Sequence, residues 1–123
     1  MRVADVVAEI LKREGVDLII GYPVNDVLEA AARADIRTVI VRQERVGIHM
    51  ADAMSRVTSG QRIGVFAMQH GPGTENAFGA VAQAYADSVP VLLLPEGYPR
   101  PVMNLPPNFS ALLNFREIAK WVE

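Results

Sequence analysis

Glu44 is the residue in this sequence best placed to do chemistry. It follows the β-branched run Arg37-Thr38-Val39-Ile40-Val41 by three positions and precedes an apolar helical stretch. A carboxylate between a buried strand and a helix can sit in a shielded crevice and share a proton with a ligand nitrogen. The same position also suits an acid that answers the helix macrodipole, or one that pairs with Arg42 or Arg45. Gly71-Pro72-Gly73 is a tight turn into a helix, where free amides can hold an anion, or simply a sharp bend. It is not a dinucleotide fingerprint, because Asn76 stands where the last glycine is needed, and no Gly-Lys-Ser/Thr follows to make a P-loop. Asn76 can project from the first helical turn toward a ligand or bond nearby backbone. His70, in the same loop, can donate to a substrate or serve the loop's own structure. Glu96 follows a later apolar run and joins the candidates for substrate contact. His49 lies mid-helix, far in sequence from His70, so the two lack the spacing of a metal pair, and no metal-ligand set is expected. No serine occupies a nucleophile elbow.

The elements that must position these residues alternate. Val3, Val6, Val7, Ile10 and Leu11 carry helical spacing, which Gly15 is placed to end. Asp17 to Gly21 reads as a short buried strand. Val24, Val27, Leu28 and Ala31 restart the helical period, with Asn25 and Asp26 near its start. Residues 37–41 form the second strand. Val46, Met50, Ala53, Met54 and Val57 predict a third helix buried on that stripe and stopped at Thr58-Ser59-Gly60. Arg62 to Met68 is the third strand, residues 74–86 a helix rich in small side chains, and Pro90 to Leu94 the fourth strand. In that helix Ala80 and Ala84 are expected to face a partner subunit, and Phe78, Val81 and Tyr85 the sheet. Five prolines between Pro95 and Asn108 predict a loop, while Leu112 to Glu123 suits either a helical turn or a fifth strand.

Alternating helices and continuous apolar strands indicate an α/β fold with a parallel sheet covered on both faces. In such sheets ligands gather beyond the carboxyl ends of the strands, which is where Gly21-Tyr22-Pro23, Glu44, His70–Asn76 and Glu96 all fall. The chain has 123 residues, enough for one domain, and half of them are apolar. Twelve basic and fourteen acidic residues leave a net charge of −2, which argues against a nucleic-acid or anionic-membrane surface. There is no cysteine, no apolar run long enough to span a bilayer, and an acid by Asp5 where a secretory leader would be apolar. A cytoplasmic globular domain is expected.

Four segments in order carry a family resemblance: Gly21-Tyr22-Pro23, Val41-Arg42-Gln43-Glu44, Gly71-Pro72-Gly73-Thr74-Glu75-Asn76, and Ala84-Tyr85-Ala86-Asp87-Ser88-Val89-Pro90-Val91. They resemble the pyrimidine-binding N-terminal domain of thiamine diphosphate enzymes, acetolactate synthase-like group, where they read approximately GYPGG, RHE, GPGATN and AYMDSIPLV. The resemblance covers about residues 15–95. It implies a three-layer α/β/α thiamine diphosphate-binding fold with flavodoxin-like strand order 2-1-3-4. It implies that Glu44 bonds N1′ of the cofactor's aminopyrimidine, with Pro23, Pro72 and Asn76 lining the pyrimidine pocket. A proton shared there favours the imino tautomer that takes the thiazolium C2 proton. The function implied is cofactor activation for decarboxylation or carboligation of 2-keto acids, as a transferase or lyase.

Departures from the family pattern bear on substrate. His70 replaces a serine, Glu75 a threonine, and Gly97 the glutamine of a T-G-Q-V-P segment; Asn108-Phe109-Ser110 stands in place of F-Q-E. The family domain normally runs further, adding a helix and a closing strand. The G-D-G…N-N segment that holds Mg²⁺ and the diphosphate does not occur in these residues. The expectation is thus a truncated domain over residues 1–123, half of an active site and inactive alone. It would be completed by a diphosphate-binding domain in the same or another chain, within a homodimer or tetramer. The alternatives from other classes are a non-catalytic binding or assembly domain of this fold, or a flavodoxin-like nucleotide-binding module.

Overall fold

A computed structural model describes residues 2–103 and 105–123; Met1 and Asn104 lie outside the described residues. The order is α1 (Val3–Arg13), β1 (Leu18–Gly21), α2 (Asp26–Arg33), β2 (Arg37–Ile40), α3 (Glu44–Val57), β3 (Gly64–Met68), α4 (Pro72–Ala86), β4 (Val91–Pro95) and α5 (Ala111–Phe115). The four strands form one parallel sheet in the order β2-β1-β3-β4. Leu18 is paired with Arg37, Ile20 with Phe66, and Phe66 with Leu93.

Side chains alternate across the sheet and build two cores, one on each face. Ile19, Val65 and Ala67 meet Leu11 of α1 and Leu28 and Ala31 of α2. Ile20, Phe66 and Met68 meet Ile48 and Ala51 of α3 and Ala77, Ala80 and Val81 of α4. The result is a three-layer α/β/α fold with the expected strand order. Only the central strands are covered on both faces. β2 and β4 are the edges and keep half-exposed side chains, so continuous apolar character did not mean complete burial there.

The apolar stripe faces inward only in part on α1 and points outward on α3. On α1, Leu11 and Val7 of the stripe pack into the core with Ala8, while Val3, Val6 and Ile10 are exposed. On α3, Val46, Met50 and Val57 are exposed, and the buried face is Glu44, Gly47, Ile48, Ala51, Asp52 and Ser55. Close approach to β3 decides this. A methyl group on Gly64 would overlap the Ala51 carbonyl, and one on Gly47 would enter the Phe66 ring. Only small residues fit against the strand at that separation. On α4 the expected outward pair is also reversed: Ala80 and Ala84 are buried, whereas Phe78 and Tyr85 face outward and only Val81 of the expected inner residues is buried. Small side chains there serve packing against the chain's own α3 and sheet.

After β4 no helix or strand occurs among the described residues until α5. Ser110 caps α5 by accepting from the Leu113 N–H. Residues 116–123 form neither a further helix nor a fifth strand.

Candidate functional site at the carboxyl edge of the sheet

Every sequence-predicted site residue lies at or just beyond the carboxyl ends of the parallel strands. They form two groups. Glu44 opens α3 and is 3% exposed. Its Oε2 accepts a hydrogen bond from Asn76 Nδ2 at 3.1 Å, so the side chain of α4 reaches the acid rather than its own backbone. Its Oε1 lies over the first turn of α4, where a Cβ on Gly73 would stand only 3.2 Å away. Gly73 therefore makes the space in which the carboxylate sits. The helix-start position of Glu44 is as expected from its charge. The ion pair with Arg42 or Arg45 is not formed among the described residues; Arg45 extends instead along α4 beside Gly79. Pro72 is the first residue of α4, preceding Gly73. Pro23 is exposed two residues beyond β1, at the same edge of the sheet.

The second group comprises His70, Glu96 and Tyr98, from the loops after β3 and β4. The His70 and Tyr98 rings meet at a centroid separation of 4.3 Å. Nδ1 of His70 is buried and has no hydrogen-bond partner among the described residues. Glu96 is bound into the same corner by its N–H, which donates to the Met68 carbonyl at 2.8 Å. Burial raises the pKa of its carboxyl above the ordinary glutamate value, and the negative charge of Asp26 adds to the rise. The nearby His70 imidazole and the Asp26 backbone N–H act in the opposite sense. Gly71 has φ of +59°, the region glycine tolerates best, and the Tyr98 hydroxyl lies directly over it.

Asn25 and Tyr98 were missed as organisers of this edge. Asn25 was recognised as a helix-start residue, and its Oδ1 does accept from the Val27 N–H. Its amide does more, donating at 2.9 Å to the carbonyls of both Met68 and Leu94. One buried side chain thus ties together the strand ends that carry His70 and Glu96. An asparagine four residues past a central strand was the available signal. For Tyr98 the signal was weaker: an aromatic residue inside a proline-rich loop.

A groove of about 1480 Å³ runs along the outer edge of β4. It reaches His70, Gly71, Glu96 and Tyr98 at one end, and Val81, Leu93, Phe115 and Trp121 line its apolar part. Glu44, Asn76, Pro23 and Pro72 do not line it. Among the described residues no group of three His, Cys, Asp or Glu side chains is placed to hold a metal ion.

Known sequences resemble this chain over most of its length. Residues 1–109 match the family described as thiamine pyrophosphate enzyme, N-terminal TPP binding domain. An acetolactate synthase large subunit from Haemophilus influenzae is 36% identical over 95 residues, covering 74% of this chain and 16% of that protein. The acetolactate synthase isozyme 3 large subunit of Escherichia coli is 38% identical over 95 residues, with the same coverage of each chain. A probable acetolactate synthase large subunit from Methanocaldococcus jannaschii is 36% identical over 97 residues, covering 76% of this chain and 16% of that protein. The chain thus spans only a small part of the length of these relatives.

Proposed function

The chain belongs to the family of thiamine pyrophosphate enzyme N-terminal TPP binding domains, and from that premise we propose that it supplies the aminopyrimidine half of the cofactor site in an acetolactate synthase-like enzyme acting on 2-keto acids. The observation that carries this reading is the buried Glu44 carboxylate, held by Asn76 at 3.1 Å over the cradle left by Gly73. That arrangement fits an aminopyrimidine ring. One carboxylate oxygen is fixed by an amide donor, and the other is left without a protein partner among the described residues. An unpartnered oxygen of that kind favours a ligand nitrogen that can bring a proton.

Glu44 would hold the proton at the ring nitrogen, Asn76 would keep the carboxylate in one orientation, and Pro23 and Pro72 would wall the ring. When bound, thiamine diphosphate supplies a carbon nucleophile for decarboxylation or carboligation. Packing of the carboxylate between α3 and α4 would limit the water that reaches it. A diphosphate-binding domain, in this or another chain, would hold the Mg²⁺-diphosphate end; this chain alone would be half a site and catalyse nothing. The outward apolar residues Val46, Met50 and Val57 on α3 and Phe78 and Tyr85 on α4 support a homodimeric or tetrameric assembly covering that face. The lack of cysteine fits a cytoplasmic setting.

The test is Glu44→Gln in the enzyme completed with its diphosphate-binding domain. Glutamine keeps the volume and the Asn76 contact but cannot hold the proton. Exchange of the cofactor's C2 proton for deuterium, followed by NMR after acid quench, should slow by about 10²–10⁴. Exchange at the wild-type rate would remove Glu44 from the proposed role.

A further inference from the structure

The corner formed by His70, Glu96 and Tyr98 is built with more care than a loop crossing needs. Three separate segments meet there: the start of α2, the turn after β3 and the turn after β4. Asn25 joins the two strand ends, the Glu96 N–H closes on Met68, and Tyr98 lies against both His70 and Gly71. Within this frame His70 keeps a buried nitrogen without a partner. Folded proteins satisfy nearly all such atoms, so an exception calls for a reason. His70 is half-buried and lines the groove beside β4, so a small molecule can reach its ring although Nδ1 itself is enclosed.

We propose that His70 and Glu96 form a specificity subsite for an uncharged hydroxyl or carbonyl group carried by the substrate beyond its reacting carbon, with Tyr98 as the positioning residue that holds His70. This deepens the reading of the chain as part of a keto-acid enzyme and rests on it. An imidazole offers a donor or an acceptor and the carboxylate beside it accepts, so a hydroxyl, which can do both, finds a partner in either sense. A second carboxylate on the substrate does not. The residues lining this end of the groove are His70, Gly71, Glu96, Gly97 and Tyr98, none of them lysine or arginine. In this corner Glu96 has Asp26, at the start of α2, beside it; Lys120 and Glu123 also line the groove. Like charges brought together in a partly desolvated corner repel, which makes the subsite selective by exclusion as well as by attraction. Tyr98 acts through His70: its ring sets the imidazole plane, and its hydroxyl covers the turn at Gly71.

The test uses the 123-residue chain with two probes, hydroxyacetone and 2-oxoglutarate, each titrated while NMR follows the His70 ring nitrogens and the Glu96 carboxyl carbon. Hydroxyacetone should move both signals at concentrations about tenfold lower than 2-oxoglutarate requires. Tyr98→Ala should abolish the His70 response and Tyr98→Phe, which keeps the ring contact, should restore most of it. An equal response to both probes, or none to either, overturns the proposal. In the completed enzyme, Glu96→Ala should lower the ratio of kcat/KM for 3-hydroxypyruvate to that for 2-oxoglutarate by about tenfold. A merely structural change would lower both values together and leave the ratio unmoved, which also overturns the subsite. Loss of the Glu44 effect on C2 exchange, with probe selectivity intact, would instead count against the cofactor reading.

Discussion

Helices α2 and α3 both start just past a strand at the carboxyl edge, and both carry an apolar stripe at helical spacing, yet they use those stripes differently. On α2 the stripe is the inner face: Leu28 and Ala31 are buried and Val27 is half-buried. On α3 the stripe points away from the sheet, with Val57 82% exposed. The buried face of α3 instead carries glycine, alanine and the three polar residues Glu44, Asp52 and Ser55. The difference is one of distance and neighbours. α3 lies so close to β3 that backbone meets backbone at Ala51 and Gly64, and it is flanked by α4. A helix in that position is chosen for small side chains facing inward and for polar groups that complete hydrogen bonds. Its large apolar residues are left for whatever covers the outside.

The largest effect expected from this contrast is at the α3–β3 contact. Gly64→Ala forces a methyl group onto the Ala51 carbonyl, part of a helix backbone that cannot rotate away. The expected loss is about 3 kcal/mol or more, at the upper end of overpacking costs. Urea denaturation would read it as a lower midpoint at unchanged slope. A loss below about 0.5 kcal/mol would mean that α3 stands further from the sheet than its side chains indicate.

A smaller pair of changes separates the two faces of α3. Ser55 is buried and its hydroxyl accepts the Gly64 N–H at 2.8 Å. Ser55→Ala leaves that buried donor without a partner, at about 1–3 kcal/mol. Val57→Ser removes a large apolar side chain, but from solvent, and should change stability by less than about 0.5 kcal/mol. A reading of α3 from its apolar stripe predicts the opposite order, so denaturation of both variants side by side decides between the two.

That opposition also shows how far the sequence was legible. Period and β-branched runs located the four strands, and the strand-end rule then brought Glu44, Asn76, His70 and Glu96 to one edge. Hydrophobic periodicity could say that α3 is a helix but not which side of it faces the sheet. Both sides are compatible with burial, one by size and the other by apolarity. The same ambiguity reversed Ala80 and Ala84 against Phe78 and Tyr85 on α4. The Glu44–Asn76 hydrogen bond joins residues 32 positions apart, a contact that spacing within either segment cannot reveal. Asn25 was legible as a cap because capping is local, whereas its bonds to Met68 and Leu94 depend on which strands become neighbours.

The smallest expected effect returns to the two helix starts. Glu44 belongs to α3 itself and is buried, while α2 begins with Asp26 and faces Glu96 from across the sheet edge. Burial first, and Asp26 second, raise the pKa of Glu96 above its ordinary value of 4.5. The folded protein therefore holds this proton to higher pH than the unfolded chain does. Between the two pKa values the native state binds more protons, so stability falls as pH rises through that interval, and the deficit persists above it. Below the unfolded value both states are protonated and the deficit vanishes. Glu96→Gln, which carries no charge at any pH, should accordingly raise Tm at pH 7 and have no effect near pH 4. Because Glu96 remains largely open to solvent, screening keeps the gain small, a Tm increase of about 1–3 °C. Thermal unfolding of both proteins across this range would show it. A difference independent of pH would trace the change to packing, and a lower Tm at pH 7 would show that Glu96 is stabilised as an anion, with His70 and the Asp26 N–H outweighing burial and the Asp26 carboxylate.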